Sequence, residues 1–119
     1  MPIKFTNDKP IFLQVAEIIK SDIVSGNLQA NAKLPSVREF ALIYSINPNT
    51  VQKALQILED DGLIVTDRTN GKYVSDSLKQ IEKEKKKTIT IEVEMFLNKM
   101  SSLGLDIEEV KEIINKVGK

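Results

Sequence analysis

Apolar side chains recur at intervals of three and four along most of this chain, the spacing that gives a helix one dry and one wet face. Ile11, Val15, Ile18, Ile19 and Ile23 make such a stripe downstream of Pro10, and Gly26-Asn27 supplies its stop. The stripe suits a core helix better than a partner groove. Val37, Phe40, Ala41 and Tyr44 form a second, shorter stripe. Ser36 can accept from backbone N–H groups at its start while Glu39 reaches back, a reciprocal cap, and Pro35 discourages extension upstream. A third stripe, Val51, Leu55 and Leu58, follows Asn47-Pro48, a cap residue with proline at the first helical position, where its missing N–H is not needed. Between the second and third stripes Ser45 stands where such turns often use glycine to reach positive φ. A serine there is strained by roughly 1 kcal/mol, or the turn takes another shape.

Past Gly62 the pattern shortens. Leu63-Ile64-Val65 predicts a short strand, Tyr73-Val74 its partner, and Asn70-Gly71 the hairpin turn between them. Ser77 with Gln80 predicts a further capped helix, which enters the charged run from Glu82 to Lys87 as a solvated surface or a hinge. From Thr88 to Val93 two patterns compete: Ile89, Ile91 and Val93 alternate as in a strand, whereas Ile89, Val93, Phe96, Leu97 and Met100 form a helical stripe. Length and continuity favour helix. Gly104 ends it, and Asp106 with Glu109 caps a last helix carrying Ile107, Val110, Ile113, Ile114 and Val117. The predicted fold is therefore mainly α with a small β-hairpin (α+β). It divides into a helical domain with a hairpin over residues 1–76 and a two-helix tail over residues 77–119. The polar arm before Pro10 has little to bury beyond Ile3 and Phe5, and is expected to be loosely held or packed on the body.

Composition narrows what such a fold can do. The chain has no cysteine and no histidine, which removes the thiol nucleophile, the disulfide, the commonest general base and the commonest transition-metal ligand. Its five glycines are scattered as helix and turn stops, so none forms a phosphate-binding loop. The carboxylate pairs Asp60/Asp61 and Glu108/Glu109 lie at helix ends, where capping and solvation explain them. No enzyme, cofactor or metal site is expected. No apolar run is long enough to span a bilayer and the first residues lack an apolar signal core, so the expected compartment is the cytoplasm, with no membrane partner.

The balance of 17 basic and 17 acidic residues gives no net charge, which argues against a uniformly basic nucleic-acid binder. Distribution matters more than the total. Lys33, Arg38, Lys53, Arg68 and Lys72 fall in the two central helices, their connector and the hairpin, while Glu59, Asp60 and Asp61 gather at the end of the third helix. A neutral protein can still present a positive face. The third helix turns Asn49, Thr50, Gln52, Lys53 and Gln56 outward from its first turn on, the construction of a helix that reads base edges in the major groove. The alternative is a module whose same face docks on a protein. Docking faces favour exposed aromatic and aliphatic groups, and this face has none.

LPSVRE (from Leu34), NPNTV (from Asn47) and EDDGLI (from Glu59), in this order and spacing, resemble the winged helix-turn-helix domain of GntR-family bacterial transcription regulators. Pro10 to Leu28 is similar to that family's first helix, and the likeness covers about Lys9 to Ser75. The resemblance implies a winged helix-turn-helix with the hairpin as its wing. It implies double-stranded DNA as partner and Arg38, after the LPS motif, as a contact to phosphate or guanine. Asn49, Thr50, Gln52 and Lys53 are the expected contacts of the reading helix, although the family often has arginine where Lys53 stands. Arg68, Asn70, Gly71 and Lys72 are the expected contacts of the wing, with Gly71 matching the tip glycine that approaches DNA closely.

The short tail resembles that of the family's YtrA-like branch, whose members often regulate transporter operons. Its two amphipathic helices cannot bury their stripes on each other alone. An identical chain would supply the missing surface, making the tail a dimerisation element and the protein a dimeric repressor of a palindromic operator. No basic or aromatic cluster in the tail identifies a small-molecule effector.

Overall fold

The computed structural model describes residues 4–118. Five helices and one hairpin follow in order: α1 Ile11–Val24, α2 Val37–Tyr44, α3 Pro48–Asp60, β1 Ile64–Asp67, β2 Gly71–Val74, α4 Leu78–Ser102 and α5 Ile107–Val117. The chain forms two compact units, the first reaching to Lys85 and the second starting at Lys86. The expected strand-like stretch from Thr88 to Val93 lies inside α4, which is a continuous helix of 25 residues.

The first unit is held by α1 and α2 packed on α3, with the hairpin following directly on α3. Val15 and Ile19 of α1, Phe40 of α2, Val51, Leu55 and Leu58 of α3, Leu63 just before β1, and Ile64 and Val74 of the hairpin make one buried cluster, against which Phe5, Tyr44 and Ile81 also pack. The arm is thus packed rather than loose: Gln14 accepts from the Thr6 N–H at 2.9 Å and donates to the Thr6 and Lys9 carbonyls at 2.9 and 2.8 Å. Ile3 lies outside the described residues.

Local chemistry sets the helix ends. Ser36 Oγ accepts from the Glu39 N–H at 3.1 Å and the Glu39 carboxylate accepts from the Ser36 N–H at 2.9 Å, completing the cap of α2. Ser45 adopts the left-handed conformation, φ 55° and ψ 51°, so the turn keeps the glycine-like shape and bears the strain of a Cβ there. Asn47 caps α3 by accepting from the Asn49 N–H at 2.8 Å. At the other end of α3, Gly62 at φ 76° lets its N–H reach the Glu59 carbonyl and the Leu63 N–H reach the Leu58 carbonyl, the two crossed bonds of a Schellman stop.

The start of α4 is built differently from the expected reciprocal cap. Ser77 Oγ accepts from the Gln80 N–H at 3.2 Å, but the Gln80 side chain donates to the Asp61 carbonyl at 2.8 Å, tying α4 to the end of α3. Nor is the charged run simply solvated. Glu84 is 5 % exposed and receives Lys20 Nζ of α1 at 3.4 Å.

In the second unit Asp106 and Glu109 form the expected cap of α5, at 2.9 and 3.1 Å. Val110 is the buried hydrophobic residue there among the described residues, and most other large apolar side chains of the unit are exposed.

Candidate nucleic-acid interface

The turn from α2 to α3 places the start of each helix at the surface of the first unit. Arg38, in the first turn of α2, is exposed and has no hydrogen bond or ion pair among the described residues. Val51, Ala54, Leu55 and Leu58 face the core from α3. Their burial fixes the roll of the helix and leaves Asn49, Gln52 and Lys53 exposed, with Thr50 half-buried at the flank. Farther along, Gln56 donates to Asp60 at 2.9 Å, so the last turns of the outward face are internally paired and acidic. Chemistry able to hydrogen-bond a base edge is concentrated in the first two turns.

Lys53 Nζ sits 5.6 Å from the centroid of the Phe12 ring, a cation–π contact that holds the ammonium at the start of α1. Phe12 is half-buried at the first turn of α1, in phase with Val15, Ala16, Ile19 and Ile23, so its spacing marks it as part of the core stripe and gives no local sign of the contact with Lys53.

The hairpin pairs Ile64 with Val74, Val65 with Tyr73, Thr66 with Lys72 and Asp67 with Gly71. Its loop is therefore Arg68-Thr69-Asn70, three residues closed by Gly71 at φ 103°, rather than a two-residue Asn-Gly turn. Asp67 organises it. Its carboxylate accepts from the Thr69 N–H at 2.9 Å, the Asn70 N–H at 3.3 Å and the Asn70 side-chain amide at 3.3 Å. The two backbone N–H groups, then the Asn70 amide, hold the Asp67 carboxyl below the usual carboxylate range. In the same way the Ser36 backbone N–H, then its hydroxyl, lowers that of Glu39. The connector before α2 lines the outer edge of β2: the Leu34 N–H donates to the Lys72 carbonyl and the Val74 N–H to the Ala32 carbonyl, each at 2.9 Å.

These contacts sort the wing's side chains. Arg68 is exposed and without a partner among the described residues. Asn70 is exposed but turned back on Asp67. Lys72 is engaged within the protein: its Nζ donates to Thr66 Oγ1 at 2.8 Å and to Glu59 Oε1 at 3.3 Å. Glu59, Thr66 and Asp67 were not among the residues that sequence spacing singled out. The described residues hold no group of three or more His, Cys, Asp or Glu able to bind a metal ion, and no helix long and apolar enough to cross a membrane.

A capped helix pair with an outward polar helix start, followed by a hairpin with an exposed arginine at its tip, defines a winged helix-turn-helix of the DNA-binding kind. Residues 12–74 match the family described as bacterial regulatory proteins, gntR family. The chain belongs to the GntR family of DNA-binding transcription regulators. It is 36 % identical to the HTH-type transcriptional repressor YtrA of Bacillus subtilis, over 91 % of this chain and 84 % of that one. The structure of a GntR family transcriptional regulator from Listeria monocytogenes superposes with a TM-score of 0.89 at 36 % identity, covering 95 % of this chain and 99 % of the other. The DNA-binding domain of AraR, solved with operator ORR3, is similar at 27 % identity and a TM-score of 0.55 over 63 % of this chain and 90 % of that one.

Proposed function

We propose that this regulator is a homodimeric repressor that binds a palindromic operator in the cytoplasm, and that the operon it controls encodes a transporter. Arg38, Asn49, Thr50, Gln52 and Lys53 contact bases and phosphates from the helix-turn-helix, and Arg68, Asn70 and the Gly71 backbone approach DNA from the wing. The observation that carries the reading is the first two turns of α3, where exposed, hydrogen-bonding side chains stand over a buried stripe, together with the exposed Arg38 in the first turn of α2. Its relatives point the same way: the YtrA protein of Bacillus subtilis is a repressor, and the AraR domain is bound to an operator. The exposed apolar side chains of α4 and α5 support the dimer. A two-fold pair would set its reading helices about one DNA turn apart, roughly 34 Å, to meet successive major grooves.

The test is a fluorescence-anisotropy titration of the DNA upstream of the protein's own gene and of a random duplex. Binding should weaken steeply with salt. Arg38→Ala should weaken operator binding by about 1 to 3 kcal/mol while leaving the thermal melt unchanged. A folded variant with unaltered affinity removes Arg38 from the interface.

A further inference from the structure

The wing carries a lysine that is engaged within the protein. Lys72 lies one register step from the tip, opposite Thr66. Its ammonium donates to Thr66 Oγ1 at 2.8 Å and to Glu59 Oε1 at 3.3 Å, and the Thr66 hydroxyl in turn donates to Glu59 Oε2 at 3.0 Å. Side chains from α3, β1 and β2 thus close a ring of three contacts. The Lys72 and Glu59 side chains are only 22 % and 33 % exposed. Glu59 stands in the last turn of α3, where the helix dipole disfavours a carboxylate, and the lysine offsets that penalty. A lysine on a hairpin that also carries an exposed arginine would ordinarily be drawn to phosphate.

We propose that Glu59 is a specificity-determining residue of the DNA interface: it withholds Lys72 from the phosphate backbone and fixes the wing on the end of the reading helix. Binding to arbitrary sequence is almost wholly electrostatic, so every additional lysine that meets a phosphate tightens all duplexes alike. With Lys72 neutralised inside the protein, the wing contributes direction through Arg68 and its tip rather than undiscriminating charge. This rests on the DNA-binding role given above to the α3 face and the wing.

The experiment titrates the full chain with a short random-sequence duplex, and with a duplex selected by the wild-type protein from a random library, over a range of KCl concentrations. Glu59→Gln keeps an acceptor for Thr66 and removes the charge. It should tighten the random duplex several-fold near 0.1 M salt, steepen the salt slope by about 0.9, and narrow the preference for the selected duplex. Lys72→Met in the otherwise native chain should leave the slope at the wild-type value, and Lys72→Met added to Glu59→Gln should restore it. If Lys72→Met alone flattens the slope by about one, Lys72 already contacts phosphate and the proposal is overturned. It is equally overturned if Glu59→Gln leaves both random-duplex affinity and slope unchanged. In either case wild-type binding stands and only the role of Glu59 falls. Absence of salt-dependent binding by the wild type removes the DNA reading and this proposal together.

Discussion

The two units of this chain follow the same rule of helix construction with opposite results. In the first, Val15, Ile19, Val51, Leu55, Leu58 and Leu63 are fully enclosed. In the second, Ile89, Val93, Phe96, Ile113, Ile114 and Val117 are between 43 % and 77 % exposed, although their spacing is as regular. The difference lies in the number of surfaces available. Three helices, the hairpin and the first turns of α4 close one core, whereas from Lys86 on Val110 is the buried apolar side chain among the described residues. Exposed Ile91 and Met95 add apolar surface to α4 beyond its main stripe. A helix that is apolar on more than one side is made for burial on more than one side, and each large side chain left in water forgoes roughly 1.5 to 3 kcal/mol. The first unit encloses its own core, whereas the second leaves its stripes in water, and on that contrast the proposed dimer rests.

Removing the tail breaks this comparison most directly. The first unit reaches to Lys85, so a chain ending at Lys86 keeps every residue of the core cluster and the partly buried Lys20–Glu84 pair. It should be a folded monomer. Loss of the tethered second half-site should lower operator affinity by about 10² to 10⁴. Sedimentation equilibrium at micromolar concentration decides the matter: a full chain that is monomeric, or a truncated one that still pairs, refutes the assignment of the tail.

Single truncations sharpen the contrast at a smaller scale. Leu55→Ala should destabilise the first unit by about 2 to 5 kcal/mol, independently of protein concentration, because it opens a cavity in an enclosed core. Ile114→Ala, at a half-exposed site, should scarcely alter the stability of an isolated protomer. It should instead weaken self-association, so its effect on the melting temperature should depend on protein concentration. Matched melts of the two variants over a range of concentrations read both effects. Equal concentration dependence would erase the distinction between the units.

How well the sequence could be read depended on the range of each interaction. The caps at Ser36/Glu39, Asn47 and Asp106/Glu109 and the stop at Gly62 are local, their partners lying within a few residues, and spacing revealed them. The strain at Ser45 was also legible, since its position between two capped helices demanded a sharp turn. Spacing could not show that Gln80 would abandon its own helix cap for the Asp61 carbonyl, or that Glu84 would be buried against Lys20, 64 positions away. Both depend on where a helix lands. The same holds for the site: the outward face of α3 followed from its buried stripe, whereas the occupation of Lys72 by Glu59 and Thr66 joins three elements and has no local signature. Asp67 has a local signature that the spacing of apolar residues does not show, since an aspartate at the start of a loop is itself a turn signal.

Asp67 gives the smallest effect and the most local one. Its carboxylate accepts both backbone N–H groups of the wing loop, which holds its pKa below the ordinary value. A carboxyl whose pKa is depressed on folding contributes stability that is fully present above its unfolded value, near 3.9, and is lost as pH falls through the folded value. At neutral pH the loop should therefore keep one form, and acidification through the lowered folded value should release the Thr69 and Asn70 N–H groups. Because Asp67 is fully exposed, the change should stay in the wing and leave the packing around α3 untouched. Amide shifts of Thr69 and Asn70 followed by NMR should titrate with a midpoint below that of an unperturbed aspartate, while those of Leu55 and Leu58 do not move with them. Asp67→Asn should abolish that titration and loosen the loop at neutral pH, since a neutral amide oxygen accepts more weakly than a carboxylate. A midpoint at or above the ordinary value would show that these N–H groups do not hold the carboxylate, and that the wing tip takes its shape from Gly71 alone.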